Sequence, residues 1–251
     1  MFNFFVDKSN RQADRYYISG NDFNHIKNVL RMNKGDSFLV SCDGKSDLCC
    51  LDSYEDDVAV AVIQEENYKS TELGVRLYLF QALPKSDKME LIIQKAVELG
   101  VYEIVPTEMT RCVVKLNDKK KGSKTQRWQA ISESASKQSK RNIIPTVQEP
   151  VSYKQALNIA KDLDMLIVPY ENERGMIAAK EALSKIKDGM SVGILIGPEG
   201  GFEEKEVEAA VNIGGLPISL GSRILRTETA AIAALSMCML HIEMNVESDT
   251  K

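Results

Sequence analysis

The spacing of hydrophobic and polar residues changes once along this chain, near residue 70. Before that point the apolar residues fall in short, aromatic-rich or β-branched runs. These are MFNFFV at the start, RYYIS from Arg15, SFLVSCDGKSDLCCLDSY from Ser37 and DVAVAVIQ from Asp57. The third contains two strand-like runs around a glycine turn at Asp43–Asp47. Several short strands at close spacing predict a small barrel. Between them, NDFNHIKNVLRM predicts one short helix, capped by Asn21 or Asp22 and followed by Gly35. EENYKSTELG, residues 65–74, is polar and reads as a linker.

Beyond it the period becomes mixed. VRLYLFQAL predicts a buried strand, and KMELIIQKAVELG a helix. In that helix Met89, Ile92, Ile93, Ala96, Val97 and Leu99 share a face, and Gly100 ends it. Asp87 and Glu90 have the spacing of a capping box. A strand (YEIVPTEM) and a basic amphipathic segment over 122–140 follow. Then helices and strands alternate: SYKQALNIAKDL, MLIVPY, GMIAAKEALSKI, SVGILIG, EEKEVEAAVNIG, LPISLG and a final helix over 227–244. Such alternation predicts a mostly parallel sheet covered on both faces, hence an α/β domain. The expected domains are 1–70 and 73–251.

Composition narrows the class. The 251 residues are 43% hydrophobic and 27% charged, which suits a globular protein with a sizeable core. No run approaches the ~18 apolar residues of a membrane span. The first residues lack the features of a secretory signal, so a cytoplasmic location is expected. Five cysteines include no C-x-x-C, and neither His25 nor His241 is spaced to complete a zinc set. Free thiols and no metal are expected, with Cys49 and Cys50 on opposite faces of one strand.

The net charge is −4, yet Arg111–Arg141 holds ten basic and two acidic residues. That local charge of +8 leaves −12 for the rest of the chain. A segregated basic stretch is either a phosphate footprint or a solvated helix surface.

Three strand-to-helix junctions carry candidate chemistry. GILIGPEGGFEEKEVEAA runs from a buried strand through a Pro-Glu-Gly-Gly turn into a helix with acids in its first turn. Its glycines permit positive φ and close approach of a ligand. LGSRILRTETA brings Gly221, two arginines (Arg223, Arg226) and a candidate cap, Thr227, to a neighbouring strand end. FQALPKSDKMELIIQKAVELG puts Lys85 and Lys88 at a third. Ligands of open α/β sheets bind at the carboxyl ends of strands, so shared loops there predict a pocket. Neither G-x-x-x-x-G-K-[ST] nor G-x-G-x-x-G occurs, which disfavours a nucleotide-dependent metabolic enzyme.

QALPKSDKMELIIQKAVELGV, IGPEGGFEEKE and LGSRILRTETA, in this order, resemble the ribosomal RNA small subunit methyltransferase E family. RWQAISESASKQSKRNIIPTV also resembles that family's E-A-x-x-Q-S-x-R segment, so the resemblance spans the chain. It implies a SPOUT-type α/β methyltransferase domain with a deep trefoil knot, preceded by a PUA-like β-barrel that helps bind RNA. A deep knot is an exception to the rule that chains do not thread loops. It further implies S-adenosyl-L-methionine as cofactor, methylation of N3 of a uridine in 16S rRNA or the small ribosomal subunit, and a homodimer packed through the knotted domains.

Mapped onto this chain, the cofactor loops are Ile196, Gly197, Pro198, Glu199, Gly200, Gly201 and Leu220, Gly221, Ile224, Leu225, Arg226, Thr227. A less specific third is Val168–Glu171. Arg226 is the first candidate to stabilise the uridine anion, with Arg223 second. Glu199 and Glu228 are candidate general bases, against simpler roles in fixing the turn and starting the helix. RNA contacts are expected from Arg111, Lys115, Lys137, Lys140, Arg141 and Arg223, and from His25, Lys27 and Arg31, which share a helix face only loosely. The rival reading is a catalytically inactive RNA-binding assembly factor on the same fold.

Overall fold

The computed structural model describes residues 1–170 and 175–245, and the chain divides into two units. Met1–Glu72 joins Ser136–Ile144 in the first; the rest of the chain forms the second.

In the first unit the strands are β1 (Asn3–Phe5), β2 (Arg11–Gln12) and β3 (Arg15–Ile18), then helix α1 (Gly20–Asn24). β4 (Ser37–Cys42), β5 (Lys45–Glu55) and β6 (Val58–Glu65) follow. They form a six-stranded sheet in the order β1-β4-β5-β6-β3-β2. Only the β1–β4 pair is parallel. Asp43 and Gly44 have φ of 53° and 76°, the backbone of a two-residue hairpin turn, and this sets Cys42 opposite Lys45. Phe4, Tyr16, Phe38, Leu51 and Ala61 meet in the core, with Cys49 buried and Cys50 half-buried on the other face. α1 starts after Ser19, without a side-chain cap, and continues as one π-type turn over His25–Val29.

Residues 136–144 were expected with the C-terminal domain, but they group with the first unit. Arg141 explains the attachment. It is 2% exposed and forks onto Glu72, with Nε 2.9 Å from Oε1, while its carbonyl accepts from Asn3 Nδ2 at 2.9 Å. Removing one member of such a buried pair costs about 3–5 kcal/mol. Arg141 is therefore a structural residue and not the RNA contact its charge suggested.

In the second unit β7 (Arg76–Ala82), α2 (Lys88–Glu98), β8 (Val101–Glu108) and α3 (Asp118–Ser139) come first; the last turn of α3 belongs to the first unit. β9 (Thr146–Val147), β10 (Val151–Ser152), α4 (Tyr153–Ala160), β11 (Met165–Pro169) and α5 (Ile177–Leu183) follow. β12 (Ser191–Ile196), α6 (Glu204–Asn212), β13 (Leu216–Ile218) and α7 (Thr227–Asn245) complete it. The sheet order is β10-β8-β7-β12-β11-β13, with β9 beside β8, and every pairing is parallel. Every residue of β12 is buried, as expected of a central strand covered on both faces.

Local signals are used unevenly. Ser152 and Gln155 form a reciprocal capping box on α4. Asp87 makes no side-chain cap on α2; Glu90 instead pairs with Arg127 Nε at 2.8 Å. In α6 one acid of the first turn, Glu206, has a buried purpose. Glu206, 6% exposed, accepts from the amides of Glu203 and Thr110, each at 2.9 Å.

Candidate active site

A parallel sheet brings its strand ends to one side, so the end of β11 and the loops after β12 and β13 meet in one place. They enclose a cavity of about 310 Å³, within the usual range for small-molecule sites. One wall is Ile196–Glu199 with Gly201 and Phe202; the other is Ser219–Thr227; Pro169, Tyr170 and Ala230 close it. Eleven of the twelve expected cofactor residues line it, Gly200 being absent. Glu171, in the third expected loop, lies outside the described residues.

Gly201, at φ 70°, has the positive φ expected of the turn, while Gly197 and Gly200 have further duties. A Cβ on Gly197 would come within 2.9 Å of the Phe202 ring, so this glycine makes room for an aromatic side chain. Phe202 in turn meets Tyr170 edge-on, their centroids 6.4 Å apart. A Cβ on Gly200 would approach Arg111 Cβ at 3.3 Å, and Arg111 Nη1 donates to the Gly200 carbonyl at 2.9 Å. Gly221, at φ 106°, adopts a backbone that side chains resist. Phe202 was not legible as a pocket residue; its one signal was an apolar residue directly after a glycine pair.

Thr227 does not cap α7 as expected. It is the first residue of the helix, is 4% exposed, and joins three elements. Its Oγ1 donates to the Gly197 carbonyl at 2.8 Å and accepts from Gln81 Nε2 at 3.0 Å. Gln81 is fully buried at the end of β7.

The two candidate bases share one cation. Lys88 Nζ lies 3.4 Å from Glu199 Oε1 and 3.1 Å from Glu228 Oε2. The contact with Glu228 acts through charge, because its geometry is not that of an aligned hydrogen bond. Glu199 Oε1 also accepts from the Lys85 amide at 3.0 Å. Burial alone would raise the Glu199 pKa. Hydrogen bonds from the Lys85 and Glu199 amides and from Lys88 outweigh it and hold the carboxyl below its ordinary value. Arg223 and Arg226 are exposed, and no ion pair or side-chain hydrogen bond engages either among the described residues.

The expected RNA contacts separate. In the first unit, Lys27 Nζ lies over the Phe23 and Tyr54 rings at 5.0 and 5.4 Å, and His25 packs edge-on against Phe2 and Phe4. Arg31 and Lys140 are exposed, whereas Lys137 pairs with Asp22 at 2.8 Å. In the second, Arg111 and Lys115 are exposed. Within the +8 stretch, Lys121, Arg127, Lys137 and Arg141 each meet an acid from another part of the chain. Much of that charge therefore holds the fold.

An all-parallel sheet with a cavity between late strand-end loops, edged by two exposed arginines unpaired among the described residues, suits a small ligand beside an anionic partner. Residues 71–239 match the family described as the RNA methyltransferase domain, and 18–70 match the RNA methyltransferase PUA domain. The second unit is thus an RNA methyltransferase domain by class. Ribosomal RNA small subunit methyltransferase E of Bacillus subtilis is 39% identical over 251 residues, covering 97% of this chain and 98% of that protein. The protein of the same name from Mesomycoplasma hyopneumoniae is 34% identical, over 95% and 99%. A crystal structure of a ribosomal RNA small subunit methyltransferase E from Neisseria gonorrhoeae, bound to S-adenosyl methionine, superposes with a TM-score of 0.78. That protein is 30% identical, over 94% and 95%. The chain belongs to the ribosomal RNA small subunit methyltransferase E family.

Proposed function

We propose that this chain binds S-adenosylmethionine in the strand-end cavity and methylates N3 of a uridine in 16S rRNA. The observation that carries the reading is a cavity of mixed apolar and polar lining with two exposed arginines, Arg223 and Arg226, on its outer wall, neither paired among the described residues. Ile196, Leu220, Leu225 and Ala230 offer apolar surface for a purine, and the Gly-Pro-rich wall offers main chain for its polar edge. The lining suits a phosphate-free cofactor. When bound, that cofactor supplies an electrophilic methyl group.

The chain's own residues must orient the uracil and ease loss of its N3 proton. Arg226, with Arg223 beside it in sequence, supports the anion that forms. Glu199 and Glu228 are assigned no base role, because Lys88 and the Lys85 amide already hold them. The proton leaves to water in this reading. Lys27, Arg31, Arg111, Lys115 and Lys140 supply phosphate contacts that position the RNA without reading its sequence.

The same reading forms a trefoil knot within the second unit, and places the enzyme in the cytoplasm with its substrate. It pairs two copies through the second unit. α7 supports this, since Leu240 and Met244 on it are 48% and 72% exposed. The test is transfer of labelled methyl groups to unmodified 16S rRNA and to small subunits, followed by nucleoside mapping. The expected product is 3-methyluridine. Another methylated nucleoside, or none on either substrate, overturns the reading.

A further inference from the structure

Lys88 is the first residue of α2 and lines neither wall of the cavity, yet its ammonium contacts one carboxylate from each wall's helix junction. Glu199 belongs to the loop after β12, and Glu228 to the first turn of α7, directly after the loop that follows β13. The three side chains are only part-exposed, at 27% for Lys88, 25% for Glu199 and 15% for Glu228, so water screens them incompletely. Without the cation, two carboxylates would face each other across a partly dry gap, and like charges so placed repel.

We propose that Lys88 is a positioning residue that clamps the two walls of the cofactor cavity at the separation the ligand requires. It rests on the cofactor reading above. The clamp acts through geometry: the parallel strands β7, β12 and β13 share one carboxyl end of the sheet, and α2 starts from the β7 loop. The Lys85 amide anchors Glu199 from the same β7 loop at 3.0 Å, so that loop holds the first wall twice. Thr227 already ties Gly197 to the start of α7 at the base of the cavity. Lys88 supplies a second tie between the walls, made by charge instead of by a hydroxyl.

Calorimetry with S-adenosylhomocysteine, a stable analogue of the cofactor, tests this on the full chain. Lys88→Met should bind about tenfold more weakly than wild type near pH 8. The gap should narrow as pH falls, because like charge makes two facing carboxylates easier to protonate and protonation ends the repulsion. Lys88→Arg should bind within about threefold of wild type, since its charge and reach survive. The double variant Lys88→Met/Glu228→Gln should recover most of the lost affinity and show no such pH dependence. A residue that merely filled space would show neither relief. Wild-type affinity in Lys88→Met, or a loss that neither acid nor the double variant relieves, overturns the clamp. Hydrogen exchange of the ligand-free protein gives a second readout. Protection of residues 196–201 should fall in Lys88→Met and return in the double variant; unchanged protection also overturns the clamp. Failure of the wild type to bind the analogue would overturn the cofactor reading alone, and the exchange measurement would still decide the clamp.

Discussion

The two walls of the cavity are held in opposite ways. The first, after β12, is pinned along its length. Glu199 is fixed by Lys85 and Lys88, the Gly200 carbonyl by Arg111, the Gly201 amide by the Pro198 carbonyl at 2.9 Å, and Gly197 by the Phe202 ring. The second, after β13, is fastened at its ends. Ser219 Oγ accepts from the Gly221 amide at 3.2 Å, and Thr227 closes the far end. Between them Arg223, Ile224 and Arg226 are exposed, Ile224 to 87%. A wall committed to internal bonds defines a shape. A wall whose cations meet no ion pair among the described residues can offer them to a partner.

Replacing residues on each wall should separate these duties. Arg226→Ala should lower the single-turnover methylation rate by about 100-fold or more at saturating cofactor, the scale of losing one charge-stabilising donor. Its melting temperature should stay at the wild-type value, because the side chain is exposed and makes no bond among the described residues. A near-normal rate would remove Arg226 from the chemistry. Thr227→Val should cost about 1–3 kcal/mol in urea unfolding, because it strands the Gly197 carbonyl and weakens the hold on Gln81. A smaller loss would mean that the end of the second wall is not fixed there.

Glu199→Gln addresses the first wall through pH. A carboxyl held below its ordinary value of 4.5 stabilises the fold above that value, and the contribution is lost as pH falls through the lowered one. The variant should therefore be less stable than wild type near pH 7, and the two should converge under acid in thermal melts. A gap that persists in acid would show that charge is not what pins this wall. Ile224→Ser should shift stability least, within about 0.5 kcal/mol, while weakening cofactor affinity if the ligand covers that side chain. Calorimetry beside a urea melt separates the two effects.

Strands and helices were legible wherever the period was strong. The buried runs of β7, β11 and β12 and the α2 stripe stand close to where the spacing put them, because burial of one face leaves little freedom. The glycine loops were also readable as a place. Their division of labour was not. Gly197 serves Phe202, Thr227 bonds to a carbonyl thirty residues away, and Lys88 meets two acids from distant segments. Such pairings follow from tertiary approach, which spacing does not encode. Arg141 shows the same limit from the other side: within a basic run, nothing local marks the one arginine that Glu72 draws into the interior. Asp87 and Glu90 had the right spacing for a cap, but an arginine from α3 took the glutamate.

The place of β12 in the sheet also sets an order of events in time. Ser191 pairs with Arg76, 115 residues earlier, and β12 lies between β7 and β11. As the chain is synthesised, β7 and β11 cannot become joined through the sheet until residue 196 has been made. Until then the edge of β7 that β12 will occupy leaves its backbone N–H and C=O groups unpaired, a template for wrong pairing. Closing so long a loop before any reward in contacts makes such a sheet slow to complete. The cavity walls, carried by β12 and β13, are then among the last parts of the second unit to acquire their shape.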